Sequence, residues 1–302
     1  MPSSYFPTLR RTCLPRIYSA SHGYCSMHRV SSSTLLPVNS VADLVGGTQL
    51  ARLNRIPQSL EVKATVFAKL EYCSPGGSVK DRIAKRMIEQ AEHNSDIKPG
   101  DTLIEASKRV PAALCARVVR TSAGVPIDSP GSIISVAKRL QEQIPRAYIL
   151  DQYNNPNTPA AYEFGTAGKI WRQTDGRVDV VITRAGTGGT VTRISRGLKR
   201  RSGGEPESLN NVKVEYKVEG IGYDFVPSVL DKNAADDWIK TGDHESFEFA
   251  RRLVREEGFV LTSLRPDLVD EGKTVVIVLP DGLRNYLTKF ADDDSMAQHV
   301  RD

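Results

Sequence analysis

Ser74-Pro75-Gly76-Gly77-Ser78-Val79-Lys80-Asp81-Arg82-Ile83 is the stretch on which the reading of this chain turns. A glycine-rich turn runs into a residue pattern that starts a helix. Ser78 is a favourable N-cap, and Asp81 three positions on makes a capping-box-like pair with it. Ile83, Ala84, Met87, Ile88 and Ala91 recur at helical spacing and predict an apolar face. Lys80 then falls in the first turn. The positive end of a helix dipole disfavours an ammonium there and favours a neutral amine. A neutral lysine can form a Schiff base with an aldehyde cofactor. A lysine taken at random is instead a solvated surface residue.

A second glycine turn lies downstream. Val178-Asp179-Val180-Val181-Ile182-Thr183 is a β-branched run that reads as a buried strand. Gly186-Thr187-Gly188-Gly189-Thr190 follows, and Val191 to Lys199 continues with helical spacing. Strand, glycine turn and helix together present backbone N–H groups and a positive helix end to a phosphate. The glycine spacing is not that of a dinucleotide fingerprint, and Gly272-Lys273-Thr274 lacks the upstream glycine of a Walker A loop.

Pro75 to Ile83 resembles the cofactor-lysine segment of the fold-type-II pyridoxal-phosphate enzymes, the cystathionine β-synthase and cysteine synthase family. The resemblance implies that Lys80 carries pyridoxal 5'-phosphate covalently, and that Gly186, Thr187, Gly188, Gly189 and Thr190 hold its phosphate. Leu150 to Asn155 is similar to the segment whose glutamine lies beside the substrate carboxylate, which points to Gln152. Tyr216 to Phe225, with Tyr223 as a second substrate residue, resembles cystathionine β-synthases more than cysteine synthases. So does Leu279 to Phe290. The resemblance covers most of Asp43 to Asp294. It implies an α/β fold of the tryptophan synthase β type, with mostly parallel sheets flanked by helices. The strand-like runs Val66 to Leu70, Val178 to Thr183 and Thr274 to Leu279 alternate with helical stretches and point to the same class.

Three interruptions break the family pattern and make the expected fold incomplete. After Glu105 the family has a Pro-Thr-Ser-Gly-Asn-Thr-Gly loop for the substrate carboxylate and the cofactor's phenolic oxygen. This chain continues Ala106-Ser107-Lys108-Arg109-Val110. After Arg200 a strand is replaced by Arg201-Ser202-Gly203-Gly204. After Val260 a serine turn that bonds the pyridine nitrogen is replaced by Leu261-Thr262-Ser263-Leu264-Arg265-Pro266. Gly47 and Gln49 stand where the family has asparagine and proline.

The implied function is β-replacement on serine by homocysteine to give cystathionine, within cysteine biosynthesis and transsulfuration. Lys80 would act as general base as well as anchor. Activity is expected to be impaired by the interruptions. One alternative is a cysteine synthase using O-acetylserine and sulfide. Another is a non-catalytic paralogue, truncated product or dimerisation partner. The resemblance implies amino-acid substrates and a homodimer.

The 302 residues are 39% hydrophobic, enough for one large or two modest domains. No apolar run is long enough to span a membrane. Residues 1–42 hold Arg10, Arg11, Arg16 and Arg29, no lysine and no acidic residue, with abundant serine. That composition fits a mitochondrial presequence and equally an ordinary N-terminal extension of a cytoplasmic protein. The segment carries four of the five net positive charges, so the basic balance is poor support for nucleic-acid binding. Cys13, Cys25, Cys73 and Cys115 form no CxxC pair, which favours a reducing compartment. His22, Cys25 and His28 cluster, but their spacing does not match the haem ligands of animal family members, and no metal is expected. The expected domains are a presequence-like 1–42, a pyridoxal-phosphate domain 43–294 and a tail 295–302. No regulatory module is expected after Asp294.

Overall fold

The computed structural model describes residues 37–104, 119, 121, 126, 128–155, 162–202, 226–236, 238, 243–257, 271–282 and 286–287. The expected presequence falls almost wholly outside these residues. So do Tyr223, the replaced stretches 106–110 and 261–266, and Gly203 and Gly204.

Six strands and six helices are formed among the described residues, all within the unit Val38–Asp302. In chain order they are β1 (Leu50–Arg52), α1 (Arg55–Ser59), β2 (Thr65–Leu70), α2 (Lys80–His93), β3 (Thr102–Ile104), α3 (Ile133–Gln143), β4 (Ala147–Ile149), α4 (Gly168–Gln173), β5 (Val180–Ile182), α5 (Gly189–Ser202), α6 (Asp243–Glu256) and β6 (Thr274–Leu279). A π-helical turn, Tyr162–Ala167, leads directly into α4.

The main sheet has the order β1-β2-β6-β5. β2, β6 and β5 run parallel, and β1 is an antiparallel edge. A separate parallel pair joins β3 to β4. The continuous apolar run of β6 is what a strand covered on both faces needs. Its alternation splits the core in two. Val275, Ile277 and Leu279 pack with Leu53, Ile56, Val66, Ala68 and Leu253 on one face. Val276 and Val278 pack with Val79, Ile83, Met87, Tyr162, Ile170, Ile194 and Leu198 on the other. The second core is the one beneath α2, α4 and α5. No helix among the described residues is long and apolar enough to cross a membrane.

Three local expectations are corrected. The strand expected over Val178 to Thr183 is paired only over Val180–Ile182, and it is half-buried because it borders the described sheet. The α2 face is narrower than its periodicity suggested. Ile83 and Met87 are buried, Ile88 and Ala91 are half-buried, and Ala84 is exposed while Arg82 is buried in its place. The N-cap of α2 is Val79 rather than Ser78. Ser78 still serves the helix start, since its Oγ accepts from Lys80 N at 3.2 Å. The Asp81 carboxylate turns away to accept from Gly76 N at 2.6 Å, which closes the glycine turn instead of a capping box.

Candidate active site

Lys80 is the first residue of α2. The turn before it is fastened at several points. Gly77 N donates to Ser74 O at 2.8 Å, and Val79 N donates to Pro280 O at 2.7 Å. Ser78 forms an isolated bridge to Asp281, just past the end of β6. The lysine backbone is thereby set at the carboxyl ends of the parallel strands, where open α/β sheets bind ligands. Asp281 is buried, faces Arg184 Nη1 at 3.9 Å, and accepts from Tyr286 Oη at 3.2 Å.

The glycine loop approaches from the other side. Gly186 to Gly188 connect β5 to α5, a helix of fourteen residues with no acidic residue in its first turn. Lys199, Arg200 and Arg201 in its last turn suit the negative end of its dipole. Gly188 has φ +88°, and a Cβ there would meet Leu230 Cβ at 2.4 Å. Only glycine fits that turn against that neighbour. Asp231 N in turn donates to Thr192 Oγ1 at 2.9 Å, so the chain at 230–231 closes over the loop.

The Lys80 amine meets this loop. Its Nζ donates to Thr187 Oγ1 at 3.4 Å, and Thr187 is itself buried. Of the residues singled out from sequence, Lys80 and the 186–190 loop are thus brought together. Gln152 is 4% exposed. It lies in a turn after β4 organised by Asp151, whose carboxylate accepts from Tyr153 N at 3.2 Å and from Asn154 Nδ2 at 2.7 Å. Leu150, at the root of that turn, packs on the core that contains Val79 and Tyr162. Tyr223 lies outside the described residues.

A primary amine, a helix amino terminus and two hydroxyls, Thr187 and Thr190, make a donor set suited to a phosphorylated aldehyde. The residues present therefore fit pyridoxal phosphate. No group of three or more potential metal ligands occurs among the described residues.

Several supporting residues escaped the sequence reading. Arg82 Nε donates to Glu71 Oε2 at 2.5 Å, and Arg82 Nη2 donates to Glu71 Oε1 at 2.8 Å. Thr48 Oγ1 donates to Glu71 Oε1 at 2.8 Å. Arg82 sits two residues beyond Lys80, and the pair fixes the first turn of α2 to the turn that follows β2. Lys69, also buried, donates to Thr48 O and Gln173 Oε1, both at 2.7 Å. Burial lowers its amine to about 8, against the opposing pull of Glu71. Tyr162 lies wholly inside, and burial pushes its phenol well above the usual range. Arg82 and Lys69 could have been flagged only as charges inside apolar patterns, and Tyr162 carries no local signal.

The family described as "Pyridoxal-phosphate dependent enzyme" matches residues 41–117 and 108–281. Both stretches include 108–117, just past the first interruption read from the sequence. Cystathionine beta-synthase of Dictyostelium discoideum is 39% identical over 314 residues, which take in 86% of this chain and 63% of that protein. The Rattus norvegicus cystathionine beta-synthase is 37% identical over 327 residues, with 90% of this chain and 58% of that protein covered. Both alignments are longer than the 302-residue chain, so these relatives carry internal residues that it lacks. The chain spans about three-fifths of the length of these curated relatives. Among solved structures, the cysteine synthase of Entamoeba histolytica is similar with TM-score 0.75 and 26% identity, covering 87% of this chain and 93% of that one. A hydrogen sulfide-producing enzyme from Fusobacterium nucleatum has TM-score 0.76 and 26% identity, covering 83% and 100%. With the family match extending over most of the described chain, this protein belongs to the pyridoxal-phosphate dependent enzymes.

Proposed function

We propose that this chain binds pyridoxal 5'-phosphate through Lys80 and catalyses β-replacement on serine by homocysteine, giving cystathionine. The observation that carries the reading is the approach of the Lys80 amine to Thr187 at the mouth of the glycine loop. Gly186 to Thr190 and the amino terminus of α5 would hold the phosphate, and Lys80 Nζ would hold the aldehyde carbon. When bound, the cofactor supplies an electron sink for the substrate's α-carbon. Gln152 would orient the substrate carboxylate, with Tyr223 beside the same substrate.

The protein's own share of the chemistry is proton handling and exclusion of water. Lys80 Nζ would serve as the base toward the α-proton. The hydroxyl of serine leaves as water and the thiol sulfur of homocysteine takes its place. Buried Asp281 and half-buried Arg184 close the floor at the ends of β5 and β6. The sequence lacks the family's asparagine loop and serine turn, so turnover is proposed to be slow. Each lost polar contact to a reacting group costs a few kcal/mol of transition-state stabilisation. A homodimer is proposed on the family resemblance.

The likeness to cysteine synthase structures favours one alternative, O-acetylserine with sulfide. Assaying both substrate pairs with the full chain decides between them. Slow cystathionine formation, abolished in Lys80→Ala, is the expected result. Faster cysteine formation from O-acetylserine overturns the substrate assignment, and no product from either pair in a cofactor-loaded protein favours a non-catalytic role.

A further inference from the structure

Tyr162 opens the π-helical turn, an irregularity often found at functional sites. Its backbone is held close to α5. A Cβ on Gly197 would meet Ala167 Cβ at 2.8 Å and Glu163 O at 3.2 Å. Beside it, the buried Glu163 carboxylate is gripped by Arg193 Nη1 at 2.5 Å and Arg200 Nη1 at 2.6 Å, both on α5. The phenol thus enters the core from a rigid support, beneath the starts of α2 and α5.

There the phenol meets the backbone. Its Oη donates to Val79 O at 3.2 Å, the carbonyl of the peptide that joins Val79 to Lys80. The link runs from α5, through the turn that Arg193 and Arg200 brace, to Tyr162 Oη and Val79 O. One end belongs to the helix that the glycine loop opens, the other to the helix start that carries Lys80. Residues 83 positions apart along the chain are tied through one buried oxygen.

We infer that Tyr162 is a positioning residue that sets the separation between the Lys80 amine and the phosphate-binding loop. The inference rests on the cofactor reading above. A ligand that must touch both ends gains from a fixed span, because the geometry is established before binding. A ligand that touches only Lys80 gains nothing from it. Tyr162 therefore acts on the phosphate's share of the affinity and leaves the aldehyde's share alone.

Pyridoxal 5'-phosphate and pyridoxal, which lacks the phosphate, separate the two shares. Their dissociation constants are measured by equilibrium dialysis on the full chain, for wild type and for Tyr162→Phe, with Lys80→Ala as reference. The expected result is a ratio between the two constants that falls about tenfold in Tyr162→Phe, with pyridoxal binding within twofold of wild type. An equal loss for both compounds means a merely structural role and overturns the inference, as does an unchanged ratio. A Tyr162→Phe variant that does not fold shows a merely structural role as well and overturns the inference. Wild type that binds both compounds no better than Lys80→Ala overturns the cofactor reading itself, and this inference with it.

Discussion

Replacing Arg82 by leucine should cost this protein a large part of its stability. The Glu71 carboxylate is 0% exposed and takes two of its hydrogen bonds from the Arg82 guanidinium. The leucine variant leaves it with Thr48 Oγ1 and the charge of nearby Lys69. Removing one partner of a buried ion pair typically costs 3–5 kcal/mol, because the other charge stays buried and uncompensated. Lys69 offsets part of this, so a loss of about 3 kcal/mol is expected. Domains are stable by only about 5–15 kcal/mol. Glu71→Leu should cost a similar amount, since it leaves Arg82 beside Lys69 and Lys169. In the double variant Arg82→Leu/Glu71→Leu neither charge is stranded, and the combined loss should be well below the sum of the single losses. Urea unfolding followed by the fluorescence of Trp171 and Trp238 reads this directly. A urea dependence of about 3 kcal/mol per molar places each single variant's midpoint about 1 M below wild type. Single losses under about 0.5 kcal/mol, or losses that add in the double variant, would refute the reasoning.

Lys69 should make stability depend on alkaline pH. Its amine is lowered from 10.5 to about 8 by burial, so the folded state releases this proton before the unfolded state does. The burden of holding the ammonium inside, about 3 kcal/mol, is fully present below pH 8 and is relieved as pH rises toward 10.5. Wild type should therefore gain on Lys69→Met between pH 7 and 10, and parallel profiles in chemical denaturation would contradict this. Gly188→Ala should cost about 2 kcal/mol or more, from a left-handed φ and the clash with Leu230, and should weaken pyridoxal phosphate binding as measured by dialysis. Unchanged binding and stability would show that the turn relaxes freely. Gly197→Val should destabilise the chain by about 2 kcal/mol, because the contact of α5 with Ala167 and Glu163 O leaves no room. A thermal midpoint within a degree of wild type would count against that packing.

The two glycine turns were legible because each is local: turn, helix start and the lysine or phosphate loop lie within about ten residues. The run Thr274 to Leu279 was legible as a strand for the same reason, since an apolar β-branched run has few other uses. Burial was less legible. Val180–Ile182 has the composition of a central strand yet borders the described sheet, because neighbours decide exposure. Lys69 and Arg82 are charges inside apolar patterns that no local rule would bury, and they are buried because Glu71 and nearby carbonyls satisfy them. The helix starts one residue later than its capping pattern implies, and Asp81 accepts from Gly76 N rather than closing a capping box. Tyr162 meets Val79 O only because the fold brings the two together, and no spacing rule along the chain records such a meeting.

The central claim is that Lys80 is the residue that holds the cofactor. The direct measurement loads the full chain with pyridoxal 5'-phosphate, reduces it with borohydride and locates the label by peptide mass spectrometry. The account expects one labelled peptide, containing Lys80, and no label in Lys80→Ala at the same cofactor concentration. Lys69 is the sharpest internal control, being a second buried amine with a lowered basicity. Label on Lys69 or any other lysine, with Lys80 clean, would contradict the account.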